Sequence, residues 1–144
     1  MVTIRPATQA DQATIVRLVR QANLNRMNLR WPNFLVAESD GGVVGIGQVK
    51  THRDGSRELA SMVVVSERRG QGVGTALIER LIAEHPNTTL HLTCRRELGG
   101  YYGRFGFVRL PSSEYTPYFR RLIPIVNFLA GFFGQEILVM RRDS

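Results

Sequence analysis

Cysteine is almost missing from this chain. Cys94 is the only one in 144 residues, so no disulfide can form within it. That excludes the small disulfide-stapled class and fits a reducing compartment, most simply the cytoplasm. Lysine is equally scarce: Lys50 is the only one among 19 basic residues, the others being arginines. A nucleotide P-loop needs a lysine behind its glycines, and none is available there. The three histidines, His52, His85 and His91, lie apart and share no zinc-like spacing with the cysteine, so no metal is expected. No apolar run approaches the roughly 20 residues a bilayer span requires. The Met1–Arg5 start lacks the charged segment and apolar run of a secretory signal. Repeats, linkers and low-complexity segments are also missing.

What is present is one domain's worth of chain, 1–144, with 43% hydrophobic residues and a formal charge of +7. Excess positive charge suits nucleic acid, an anionic membrane or a phosphorylated cofactor. The arginines are scattered and form no run, so no nucleic-acid partner is expected.

Hydrophobic periodicity orders the elements. Val2–Arg5 reads as a strand and Asp11–Ala22 as an amphipathic helix. Asn23–Pro32 is a broken helix or a loop. Phe34–Glu38 and Val43–Lys50 flank the turn residues Asp40-Gly41-Gly42. After Asp54-Gly55 comes a strand over Glu58–Val65, then a helix from about Ala76 to His85. Thr88–Thr93 is a strand, Glu97–Phe105 a helix, Gly106-Phe107 opens another strand and Ile137–Met140 is the last. Antiparallel strands followed by a strand–helix–strand unit predict a mixed α/β fold around one central sheet.

The informative segment is Val65-Ser66-Glu67-Arg68-Arg69-Gly70-Gln71-Gly72-Val73-Gly74-Thr75-Ala76-Leu77. A strand ends here and a glycine-rich turn opens a helix. Unpaired N–H groups at a helix start, with the positive end of its dipole, attract anions. Glycines let backbone approach a phosphate closely, and Arg68 and Arg69 are candidates for charge-assisted contacts. The spacing does not match the dinucleotide fingerprint. The residues alone are compatible with a phosphate site or with a plain tight turn.

This run resembles the acetyl-CoA signature [Gln/Arg]-x-x-Gly-x-[Gly/Ala] of GNAT superfamily N-acetyltransferases, matched by Arg69, Gly72 and Gly74, with Val65 ending the preceding strand. Tyr102-Gly103-Arg104-Phe105-Gly106-Phe107 is similar to the same family's Tyr-x-x-x-Gly-Phe. The resemblance spans nearly the whole chain and implies a GNAT-like, mostly antiparallel twisted sheet flanked by helices. It implies that Gly70, Gln71, Gly72, Val73, Gly74 and Thr75, with Arg69, hold the cofactor's pyrophosphate. It implies that Val63 and Val65 pair with the pantetheine arm, and that Tyr102 protonates the leaving thiolate. Glu58 stands where some members place a general base. Two departures stand out. Arg95 replaces an asparagine common seven residues before the tyrosine, and a long apolar insertion replaces the last hairpin.

The implied reaction is acetyl transfer from acetyl-CoA to a primary amine of a small molecule or peptide. The alternative is a non-catalytic acyl-CoA-binding sensor. Asn25, Arg26, Asn28, Arg30 and Trp31 are candidates for the acceptor site, with arginines suited to a carboxylate. Cys94 reads as a small buried residue, His91 as a solvent-facing or hydrogen-bonded strand residue, and His52 and His85 as surface residues. The 118–133 segment reads as an apolar helix with a stripe of Phe119, Leu122, Ile123, Val126, Leu129 and Phe133. Internal packing or a homodimer contact is favoured for it over a membrane surface.

Overall fold

The computed structural model describes all 144 residues. Seven strands, β1 (Thr3–Pro6), β2 (Phe34–Ser39), β3 (Gly42–Thr51), β4 (Arg57–Val64), β5 (Leu90–Arg95), β6 (Val108–Arg109) and β7 (Ile137–Arg142), are hydrogen-bonded in the order β1-β2-β3-β4-β5-β7-β6. Four α-helices accompany them: α1 (Gln12–Gln21), α2 (Val73–Ala83), α3 (Gly99–Gly103) and α4 (Pro117–Gly131). The mixed α/β class, the mostly antiparallel sheet and the extra helix before the last strand are as expected. The helix expected over Glu97–Phe105 is a 3₁₀ turn at Arg96–Leu98 followed by the short α3. Two successive glycines at its start do not sustain a longer helix. The strand expected at Gly106-Phe107 begins instead at Val108, because Gly106 (φ +93°) closes the turn after α3.

The chain divides into two compact units, Met1–Lys50 with Leu59–Pro86, and Thr51–Glu58 with Asn87–Ser144. In the first, β1 and β2 run antiparallel from Thr3↔Glu38 to Pro6↔Leu35, and β2 pairs with β3 across the Asp40-Gly41 turn. Ile15, Leu18 and Val19 of α1 are buried against Phe34, Val36, Ile46 and Val63. Gly45 lets α2 lie close: a side chain there would begin 3.0 Å from Val73 Cγ1 and 3.1 Å from Leu77 Cδ1.

Arg5 anchors the start of α1. Its guanidinium donates to Asp11 at 2.8 and 3.1 Å and to Glu38 at 3.0 Å, while Asp11 also accepts from the Thr8 N–H. The Arg5 hydrogen bonds hold the Asp11 carboxyl down at about 2 against desolvation, from an ordinary 3.8. A depressed carboxylate stabilises the fold above its unfolded pKa and loses that contribution as pH falls through the folded value. About 2 kcal/mol should therefore disappear between roughly pH 4 and pH 2. Urea titrations in that window should show Asp11→Asn losing this part of the pH dependence; an unchanged dependence would place the acid sensitivity elsewhere.

In the second unit, β4 and β5 run parallel through Arg57↔Leu90 and Glu58↔His91. β5 pairs antiparallel with β7, and β7 with β6. Phe119 and Ile123 of α4 are buried with Leu110 and Val139. The N-terminus of α4 carries no cap of its own; Asp54, in the turn between β3 and β4, accepts the Tyr118 N–H at 2.9 Å. The expected stripe is only partly buried: Leu129 and Phe133 are 56% and 82% exposed. Leu129 lies in the last turn of α4 and Phe133 beyond its C-terminal end.

Candidate active site

In the first unit the glycine-rich turn leads into α2. Gly70 (φ +75°) and Gly72 (φ +84°) adopt the left-handed conformation that side chains strain, and neither has a heavy atom within 4 Å of a would-be Cβ. Gly72 is the N-cap, and no side chain caps the helix. The ladder begins with Ala76 N–H to Gly72 C=O at 3.0 Å, so Val73 and Gly74 belong to the turn whose amides precede it. A helix start with no side-chain cap, at the positive end of the dipole, is suited to an anion.

The arginines beside it differ. Arg68 donates to Ser39 Oγ at 3.0 Å and Asp40 Oδ2 at 2.9 Å, which ties the loop to the β2–β3 turn and occupies its guanidinium. Arg69 donates only weakly to Val64 C=O at 3.3 Å, and is exposed. Gln71 donates to the Glu67 carbonyl at 3.2 Å, bracing the loop from within. Val63 is buried; Val65 is half-buried, and its N–H is spent on Val44 C=O at 2.9 Å.

The same unit has a cleft of about 830 Å³ lined by Gln9, Ala13, Val16, Arg30, Trp31 and their neighbours. Gln12 staples its rim, donating to Leu29 C=O at 2.6 Å and accepting from Trp31 N–H at 2.9 Å. Arg30 stands exposed at this rim; Asn25, Arg26 and Asn28 are exposed in the preceding turns but do not line the cleft. Asn23–Pro32 therefore resolves as turns ending in a 3₁₀ helix at Trp31–Asn33, not as a second α-helix.

In the second unit Tyr102 sits on α3, half-buried, with its ring edge-on to Tyr101 at 5.2 Å and to Phe107 at 6.3 Å. Burial, with Cys94 and Tyr101 nearby, pushes the phenol up to about 12 from 10, so it stays protonated throughout the neutral range. Cys94 is buried against Met140, Sγ to Sδ 3.7 Å, and burial raises its thiol. A thiol so placed is a packing residue and a poor nucleophile.

Glu58 lies in this unit too, and its surroundings overturn two expectations. Neither it nor His52 is a surface residue: they are 7% and 8% exposed, and His52 Nε2 lies 2.7 Å from Glu58 Oε1. Hydrogen bonding to a carboxylate places a proton on Nε2. The Tyr118 ring stacks on His52 at 3.5 Å and 13°. His91 is neither solvent-facing nor hydrogen-bonded. It is 5% exposed, both ring nitrogens lack a partner, and it stacks on Phe119 at 5.4 Å. Burial, with Arg141 beside it, lowers its pKa and keeps it neutral. His85 is half-buried, its Nδ1 2.8 Å from Leu81 C=O. Sequence reasoning missed the His52–Glu58–Tyr118 assembly. The signal available was the Asp54-Gly55 turn between two strands, which brings residues six apart face to face.

No His, Cys, Asp or Glu group in the structure could hold a metal ion. No curated protein matches the chain. Among solved structures, the chain is similar to N-acetylglutamate synthase from Neisseria gonorrhoeae, complexed with coenzyme A and N-acetyl-glutamate. The identity is 22% and the TM-score 0.75, with 100% of this chain and 36% of that one covered. It spans about a third of that synthase. It is also similar to Rv2747 from Mycobacterium tuberculosis, solved with CoA, at 20% identity and TM-score 0.72 over 99% of both chains. An acyl-CoA N-acyltransferase from Pseudomonas aeruginosa matches at 22% identity and TM-score 0.69, over 99% of this chain and 98% of that one. These likenesses show a shared fold. The model of the acetyltransferase (GNAT) domain matches residues 30–109, more than half of the sequence and including both the glycine-rich turn and Tyr102; the chain belongs to the GNAT acetyltransferase family.

Proposed function

We propose that this chain transfers an acetyl group from acetyl-CoA to a primary amine of a small molecule or peptide by direct attack. The observation that carries the reading is the uncapped start of α2 behind Gly70 and Gly72, with positive φ and open space in front. There the amides from Gly70 to Thr75, with Arg69, hold the pyrophosphate of the co-substrate. The end of β4 at Val63 and Val65 pairs with the pantetheine arm on the side away from the Val65 N–H, which is engaged by Val44 C=O. Structures of similar fold solved with coenzyme A support this assignment.

In the reaction the amine nitrogen forms a bond to the thioester carbonyl carbon and the C–S bond breaks. Tyr102 gives its phenolic proton to the departing sulfur. Glu58, held by His52, takes the ammonium proton, directly or through water. Arg30 beside the α1 cleft suits an acceptor that also carries a carboxylate, and the structurally similar N-acetylglutamate synthase was solved with N-acetyl-glutamate.

The test is thiol release from acetyl-CoA with a panel of amines, run beside a direct binding titration. Release that needs an amine supports the transferase. Binding without release on any amine supports the sensor instead. Gly72→Val should weaken acetyl-CoA binding by ~10-fold or more, because a branched side chain at φ +84° costs ~1–2 kcal/mol and fills the space in front of the amides. Unchanged affinity in a folded Gly72→Val protein would mean that the turn does not hold the phosphates.

A further inference from the structure

α4 is apolar on both sides, and only one side is covered. Phe119, Ile123, Val126 and Ala130 form its inward stripe, buried or half-buried. Arg121, Ile125, Phe128 and Phe132 repeat the same spacing two positions on, which on a 3.6-residue helix is the opposite face. Ile125 is 63% exposed, Phe128 70% and Phe132 74%, and Phe133 follows in the next turn at 82%. Phe128 and Phe132 stack edge-on at 5.4 Å, a ready-made aromatic ridge. The helix cannot rotate to hide it, because Phe119 is fully buried and Asp54 and His52 grip Tyr118. Large exposed apolar ridges of this kind mark contact surfaces.

Charge identifies what covers it. No acidic residue occurs between Glu114 and Glu136, while Arg120 and Arg121 are both exposed. Arg121 stands in line with Ile125 and Phe128 on this face. The chain as a whole carries +7. A second copy would set two acid-free, arginine-bearing faces against each other, with no carboxylate to meet the guanidinium groups. Lipid phosphates supply the negative charge, and acyl chains accept the phenyl rings. No helix is long and apolar enough to cross a membrane, so the contact is with its surface. We propose that the outward face of α4 lies on an anionic lipid surface, with Phe128, Phe132 and Phe133 in the acyl boundary and Arg120 and Arg121 at the phosphates.

The full chain should co-sediment with vesicles containing phosphatidylglycerol, far more than with pure phosphatidylcholine, and less as salt rises. Phe128→Ser with Phe132→Ser should weaken that binding by more than ~10-fold. Arg120→Ser with Arg121→Ser should weaken it by roughly 10-fold or more. All four side chains are exposed, so thermal melts of both variants should match the parent. The proposal is overturned if the parent ignores phosphatidylglycerol vesicles, or if binding survives both double substitutions. A soluble dimer in sedimentation equilibrium that Phe128→Ser with Phe132→Ser abolishes would also overturn it, assigning the face to a second copy.

Discussion

Tyr102→Phe is expected to lower turnover by ~10²–10⁴-fold while acetyl-CoA binding stays nearly unchanged. The substitution removes one oxygen and keeps the ring, so the edge contacts with Tyr101 and Phe107 survive. What is lost is a proton donor. Burial holds that proton on the phenol, up to about 12, so it is available for a leaving thiolate at any neutral pH. The raised value also fixes a pH signature. Activity should not fall through Tyr102 as pH rises past 10, the ordinary tyrosine value, because the folded phenol is still protonated there. Thiol release followed against pH in the parent and the variant checks both points. A variant with full turnover would reduce Tyr102 to a packing residue and leave the proton to solvent.

Phe119→Ala is expected to cost about 3–5 kcal/mol, the range for truncating a fully buried aromatic. Phe119 is 0% exposed and is the largest of the fully buried side chains. It packs with Leu110, Ile123 and Val139, takes the His91 ring at 5.4 Å and the His52 ring edge-on at 6.0 Å. Removing it empties the space between α4 and two buried imidazoles, one of which has no hydrogen bond at all. Equilibrium urea unfolding measures the loss, and Phe119→Leu, which keeps most of the volume, should lose much less. A cost below about 1 kcal/mol for Phe119→Ala would mean that the second unit collapses around the gap.

The two glycine-bearing motifs were legible because their information is local. A left-handed residue before a helix needs glycine, and glycines at Gly70 and Gly72 announce such a turn without any partner. The strands of the first half were legible for a similar reason: alternation and the Asp40-Gly41 turn pair neighbours in sequence. His52 and His91 were misread because burial of a polar ring depends on what packs over it. In each case the cover comes from α4, through Tyr118 for His52 and Phe119 for His91. The tie of Arg68 to Ser39 and Asp40 was not legible for the same reason, those partners lying 29 and 28 residues earlier.

By itself, then, the order of residues determined the fold class, the glycine turn before α2 and the apolar character of 118–133. Short-range backbone preference and hydrophobic period are properties of a segment. Only the tertiary structure decided which guanidinium stays near the turn, that Glu58 is buried on His52, and which side of α4 is covered. A helix with apolar residues all round offers two faces to one sheet. The choice between them falls to Phe119 and the Asp54 cap, contacts made with residues distant along the chain.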